Sequence, residues 1–225
     1  MIQLATTYYD MLLGALGQTL FLTLLSLVFA MIIGLIFALM NVGKSRFFNL
    51  IGTIYVDAVR GVPLIVLAYF IYFGIPQGIK GIGFADFRLT ALQAGVIALS
   101  MNCGAYMAEI IRAGIESVDK GQMEAARSLG LPYGTSMRKV VLPQAIRTMI
   151  PSIINQFIIT LKDTSILSII AFPELTNVGK TMAGNTFKVL ETWAIIAIMY
   201  MVVIVSLSKL AKYIERRIKR GTEQC

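Results

Sequence analysis

The chain alternates long apolar segments with short charged ones. The first apolar segment, Met11 to Gly43, contains no charged residue, and a helix of about 20 residues is enough to cross a bilayer. Four further segments have a similar character. The pattern therefore predicts five membrane helices, at about 12–40, 58–79, 89–112, 145–171 and 191–211.

Composition supports an integral membrane protein. Of the 225 residues, 57% are hydrophobic and only 14% are charged, with a mean hydropathy of +0.76, which is too apolar for an ordinary soluble domain. Barrel strands would appear as roughly ten-residue alternating segments, but these apolar segments are continuous. We therefore predict an all-α membrane protein with one transmembrane domain over residues 1–225.

The basic residues are distributed unevenly between the two ends of the predicted helices. Segments 41–60, 112–147 and 209–225 hold 15 of the 20 lysines and arginines, and four lie at the opposite side. Because basic residues concentrate in cytoplasmic loops, we expect the N-terminus outside and the C-terminus in the cytoplasm. The net charge of +8 then indicates contact with membrane lipid and no nucleic acid partner.

A polar segment at 117–143 separates the third and fourth predicted helices. Asp119 can cap a helix start, with Gln122 three residues later in the capping-box position. Gly130 and Pro132 are typical of the end of one helix and the start of the next. Between Asp119 and Gly130 lie small, apolar and charged residues that suit insertion into the groove of a partner, namely Met123, Glu124, Ala125, Ala126, Arg127 and Leu129.

This segment also carries a motif. Glu124-Ala125-Ala126, Gly130 and Val140-Val141-Leu142-Pro143 stand in an order and spacing that resemble the cytoplasmic signature loop of ABC importer permeases. Val140 is a mild departure, since the usual consensus has isoleucine there.

The resemblance extends over most of the chain. Ala105 to Gly130 is closely similar to the polar amino acid uptake subfamily, and the likeness continues through Asp57 to Leu64 and Leu161 to Leu167. It implies the five-helix type I importer fold, in which the signature loop is a coupling helix that docks on the ATP-hydrolysing subunit. By resemblance, the ATPase-coupling residues are Gly121, Glu124, Ala125, Ala126, Arg127, Leu129, Gly130 and Pro143.

The same resemblance implies the partners and the location. They are ABC ATPase subunits, an extracytoplasmic amino-acid-binding protein, and a second permease that is either an identical copy or a close paralogue. The expected location is a bacterial inner or plasma membrane. The full Walker pattern, GxxxxGK followed by S or T, does not occur in the chain: the tripeptides GKS at 43–45 and GKT at 179–181 lack the glycine five residues earlier. ATP and Mg are therefore expected on the partner ATPase and no cofactor on this chain.

Metal and serine-triad catalysis are not expected. The chain contains no histidine and only two cysteines, so there is no metal-ligand spacing to recognise. We therefore predict a transport subunit and not an enzyme.

Charged residues within the fourth predicted helix are candidates for a substrate pathway. Charges at that depth cost about 2.5 to 3.5 kcal/mol each, so Asp163 should face a pathway or a partner, and a cationic or zwitterionic substrate would suit it. Structural pairing of Asp163, and simple helix packing by the polar residues of helix 3, remain open alternatives. The candidate pathway residues are Asp163, Thr164, Ser165, Asn155, Gln156, Asn102 and Tyr106.

Two other pairs of charges have the three-residue spacing of local ion pairs. We expect Glu109 to pair with Arg112, and Asp57 with Arg60.

The function predicted overall is the permease subunit of an ATP-driven importer of polar, possibly basic, amino acids that works by alternating access. The alternative is an ion-coupled secondary amino acid carrier in which Asp163 or Glu109 binds the coupling ion.

Overall fold

The computed structural model describes residues 1–43, 45–82 and 87–220, with side chains up to residue 216. The described residues contain helices and no strand. We number the helices along the chain as follows: α1 Ile2–Thr7, α2 Tyr9–Val42, α3 Arg46–Gly61, α4 Leu64–Gly81, α5 Ala91–Glu116, α6 Lys120–Ser128, α7 Tyr133–Ile170, α8 Leu175–Thr186 and α9 Val189–Arg220.

Five of these helices, α2, α4, α5, α7 and α9, are long and apolar enough to cross a membrane. The prediction of an all-α protein with five membrane helices is therefore confirmed. Most helices extend a few residues beyond the predicted spans, because polar end residues continue the helical turn outside the apolar stretch. The largest extension is at the start of α7, twelve residues before the predicted 145.

Helix α5 is the centre of the bundle. The apolar window of α5 is 72% buried, against 11% to 39% for the other four spans. Its many small residues permit this, since they let neighbouring backbones come close. A Cβ added to Gly104 would lie only 2.7 Å from Cγ2 of Ile33 on α2. A polar contact adds to the packing, because the Ser100 hydroxyl donates to the Ser26 carbonyl of α2 at 3.1 Å.

The second predicted span, 58–79, begins too early. Residues 58–61 belong to α3, and the chain breaks at Val62 and Pro63 before α4 starts at Leu64. Proline has no N–H to donate to the preceding turn and holds the residue before it out of the helical region, and Val62 is accordingly extended, with φ −103° and ψ 129°. The predicted single span is thus two helices joined by a proline break.

The segment between the fourth and fifth predicted helices, residues 172–188, contains α8. Its N-cap is Glu174, whose carboxylate accepts hydrogen bonds from the backbone N–H of Thr176 at 2.8 Å and of Asn177 at 2.6 Å. The Tyr200 hydroxyl of α9 donates to the same carboxylate at 2.8 Å. Glu174 is fully buried, and this burial raises the pKa of its carboxyl despite the three donors. Glu174 therefore fastens α8 to α9.

Glu174→Ala is expected to lower the free energy of unfolding by about 2 kcal/mol, because a helix cap is lost and the half-buried Tyr200 hydroxyl loses its bond to the carboxylate. The measurement is the midpoint of thermal unfolding in detergent. Glu191→Ala, which removes a half-buried acid in the first turn of α9, is the matched control. An equal shift in both variants would contradict the role given to Glu174.

Candidate functional site

The segment predicted to couple to an ATPase begins with α6. The Asp119 carboxylate accepts a hydrogen bond from the backbone N–H of Gly121 at 2.7 Å, which confirms Asp119 as the cap. The predicted capping box with Gln122 is wrong. The Gln122 side chain instead lies 3.5 Å from the amide of Gln144, because α7 passes beside α6.

Gly130 ends α6, as predicted, with a backbone that favours glycine. Its φ is +82°, in the left-handed region where a side chain causes strain. The Gly130 N–H donates to the carbonyl of Arg127 at 2.9 Å, and the Leu131 N–H donates to that of Ala126 at 3.2 Å. These two bonds form a Schellman motif. Pro132 then caps α7, so the predicted second short helix is the first part of α7.

Seven of the eight predicted coupling residues are exposed. Leu129 is the most prominent, with 83% of its surface accessible. Ala126 is the exception, at 5%: it faces the interior of the domain, so the prediction that it contacts a partner directly does not fit its position. The exposed residues are Gly121, Glu124, Ala125, Arg127, Leu129, Gly130 and Pro143.

The seven predicted pathway residues do not line one cavity within the described chain. Asn102, Gln156 and Thr164 are buried. Asn155 is exposed and instead lines a cavity of about 190 Å³ between α7 and α9, together with Ser208. Adjacent positions on a helix point about 100° apart, which explains the divergence of Asn155 and Gln156.

Asp163, Ser165 and Tyr106 are partly exposed. Asp163 forms no ion pair within the described residues and lies where the regular α-helix of α7 gives way to a tighter 3₁₀ segment, Thr164–Ile170. The Ser165 hydroxyl donates to the Lys162 carbonyl at 2.7 Å. A substrate role for these residues remains a prediction.

One of the two predicted ion pairs forms. Arg112 binds Glu109 through two nitrogens, at 2.5 and 3.1 Å, and binds Glu116 at 2.6 Å. The predicted pair of Asp57 with Arg60 is wrong. The Arg60 guanidinium points to α5, where it lies 4.0 Å from the Glu109 carboxylate and 5.1 Å from the centre of the Tyr106 ring.

These charges belong to a polar groove that the sequence analysis missed. The groove has a volume of about 320 Å³ and lies between α3 and α5, at the end of the bundle that carries α6. We call it the α3/α5 groove. The sequence held a signal for it, since polar residues recur on α3 at helical spacing. Its polar lining residues are Asn41, Asn49, Thr53, Asp57, Arg60, Glu109, Arg112 and Glu116.

Comparison with known proteins identifies the family. Residues 30–220 match the family described as "binding-protein-dependent transport system inner membrane component". The chain is 35% identical to the probable glutamine ABC transporter permease protein GlnM of Bacillus subtilis over 95% of both chains. It is also 35% identical to the arginine transport system permease protein ArtQ of the same organism, over 92% of both.

A solved structure agrees with these matches. The chain is similar to one in the crystal structure of an amino acid ABC transporter with histidines, with a TM-score of 0.88 and 39% identity over 94% of this chain and 96% of that one. The resemblance read from the signature loop is thus confirmed, and the ion-coupled carrier is not supported. The chain belongs to the family of binding-protein-dependent transport system inner membrane components and is a multi-pass membrane protein.

Proposed function

We propose that this chain is the permease subunit of an ATP-driven importer of polar amino acids, with α6 as the helix that couples it to a separate ATPase. The observation that carries the proposal is the exposure of Leu129, Glu124 and Arg127 along a short helix that is capped at both ends. An exposed leucine beside charged residues matches the apolar centre and polar rim of a protein interface.

The partners follow from membership of a binding-protein-dependent family. ABC ATPase subunits, an extracytoplasmic binding protein and a second permease complete the transporter, because a single five-helix chain cannot readily enclose a pathway. We propose a two-fold pair of permeases, either identical copies or close paralogues. In the proposed orientation the N-terminus is outside and α6 is cytoplasmic, and ATP and Mg are bound by the ATPase.

The substrate is proposed from the relatives and from one residue. Relatives carry the names of glutamine and arginine transporters, and Asp163 places a carboxylate without an ion-pair partner in the described part of the membrane domain. A carboxylate in that position favours a substrate with an ammonium or guanidinium group. We therefore propose polar amino acids, with basic ones included.

Co-purification tests the assignment. An affinity-tagged chain expressed with its genomic neighbours should bring down an ATPase in stoichiometric amount. Recovery of the tagged chain, folded and in detergent, without any ATPase would contradict the proposal.

Asp163→Asn tests the pathway. We expect the variant to lose arginine uptake at least tenfold while glutamine uptake changes less, because only the cationic side chain gains from the carboxylate. The measurement is ATP-dependent uptake of both amino acids into proteoliposomes. Asp10→Asn, an exposed acid in the first turn of α2, is the control. If uptake of both substrates fell equally, or if neither changed, Asp163 would have a structural role.

A further inference from the structure

The α3/α5 groove holds charges of both signs. Three carboxylates, those of Asp57, Glu109 and Glu116, face two guanidinium groups, those of Arg60 and Arg112. The lining thus carries slightly more negative than positive charge, which disfavours phosphate and other simple anions. Its volume of about 320 Å³ falls within the range of small-molecule sites, roughly 300 to 1,000 Å³.

The two guanidinium groups are not equally satisfied. Arg112 is held on two sides, by Glu109 and by Glu116, at short distances. Arg60 has one ion pair at 4.0 Å and rests on the face of Tyr106. A guanidinium has five N–H donors in a fixed fork, so Arg60 keeps donors free for a ligand within the described groove.

Acceptors in the groove are also incompletely used. Asn41 lines the groove, but its side-chain oxygen is buried against Gly52 and is not accessible from the cavity. Asp57 lies one turn before Arg60 on α3 and forms no ion pair among the described residues. A guanidinium with unused donors and a carboxylate without an ion pair therefore share one cavity.

We propose that the α3/α5 groove is an inner binding site for a free α-amino acid, in which Arg60 binds the α-carboxylate and Asp57 with Glu109 binds the α-ammonium group. Only a zwitterion uses both signs of charge in this groove, and the planar guanidinium matches a carboxylate in two-point contact. The inference rests on the proposed function, and it adds a site at the end of the bundle where substrate leaves, separate from Asp163.

The test is direct binding to the assembled complex of permease and ATPase in lipid nanodiscs, without binding protein and without ATP. Equilibrium dialysis would compare L-arginine with agmatine, its counterpart lacking the carboxylate, or L-glutamine with 4-aminobutanamide. Wild type should bind the amino acid saturably and its counterpart at least tenfold more weakly, because a charge-assisted pair is lost. Arg60→Gln should weaken amino acid binding about as much as removal of the carboxylate does. It should leave the affinity for the counterpart unchanged.

Arg46→Gln is the matched control, because it removes the same charge from an exposed position on the same helix, outside the groove. If Arg60→Gln fails to assemble, Arg60→Lys keeps the charge, loses the two-point contact, and should bind the amino acid more weakly than wild type. Unchanged affinity in the Arg60 variants, equal loss in Arg46→Gln, or equal binding of amino acid and counterpart by wild type would overturn the inner site. The proposed function fails separately, if wild-type vesicles show no ATP-driven uptake.

Discussion

Gly130→Pro should abolish ATP-driven uptake, with a fall of at least about 100-fold, while the chain still inserts into the membrane. Gly130 sits at φ +82°, and proline fixes φ near −65°. The variant also lacks the N–H that donates to the Arg127 carbonyl. A conflict of this kind costs roughly 3 kcal/mol or more, so the end of α6 must rearrange and its docking face is no longer held in place.

Lys120→Pro is the control for this prediction. Lys120 is the first residue of α6, a position where proline is well tolerated. The preceding residue, Asp119, already has φ −56° and ψ 132°, which suits a residue before proline. Vesicles that contain equal amounts of permease should take up substrate at nearly the wild-type rate when they carry Lys120→Pro. Normal uptake by Gly130→Pro would show that the shape of this turn does not matter for coupling.

Leu129→Asp should prevent the ATPase from binding. Leu129 is 83% exposed at the end of α6, where it can serve as an apolar anchor in a pocket of the partner. A carboxylate there would be buried without a partner when the ATPase docks, which is strongly unfavourable. We expect the amount of ATPase that co-purifies with the permease to fall at least tenfold.

Leu190→Asp is the matched control, because Leu190 is 82% exposed at the start of α9, at the opposite end of the bundle. The same substitution at the same exposure should leave co-purification of the ATPase unchanged. Equal loss in both variants would point to misfolding, and normal recovery with Leu129→Asp would remove Leu129 from the docking surface.

Much of this fold could be predicted because the membrane imposes simple rules. An apolar segment of sufficient length has to form a helix, since its backbone polar groups have no water to bind. The end of α6 was equally readable, because Gly130 and Pro132 act through local backbone geometry. The signature loop identified the family for the same reason: its information lies in a short stretch of sequence.

The features that the sequence did not reveal depend on contacts between helices. Arg60 was expected to pair with Asp57 because sequence spacing shows only neighbours on one helix, whereas its partners Glu109 and Tyr106 lie on α5. The burial of Ala126 depends likewise on how α6 packs against the bundle. Whether Asn155 and Gln156 share a cavity depends on which helices flank α7, and those neighbours are set by tertiary packing.

We expect amino acid import by this chain to be driven by a partner ATPase. It is tested most directly by uptake of labelled arginine and glutamine into proteoliposomes that contain the chain, its co-purified ATPase and its binding protein. We predict uptake that requires ATP, is lost without the binding protein, and is indifferent to proton and sodium gradients. Uptake driven by an ion gradient in the absence of ATP would contradict the account.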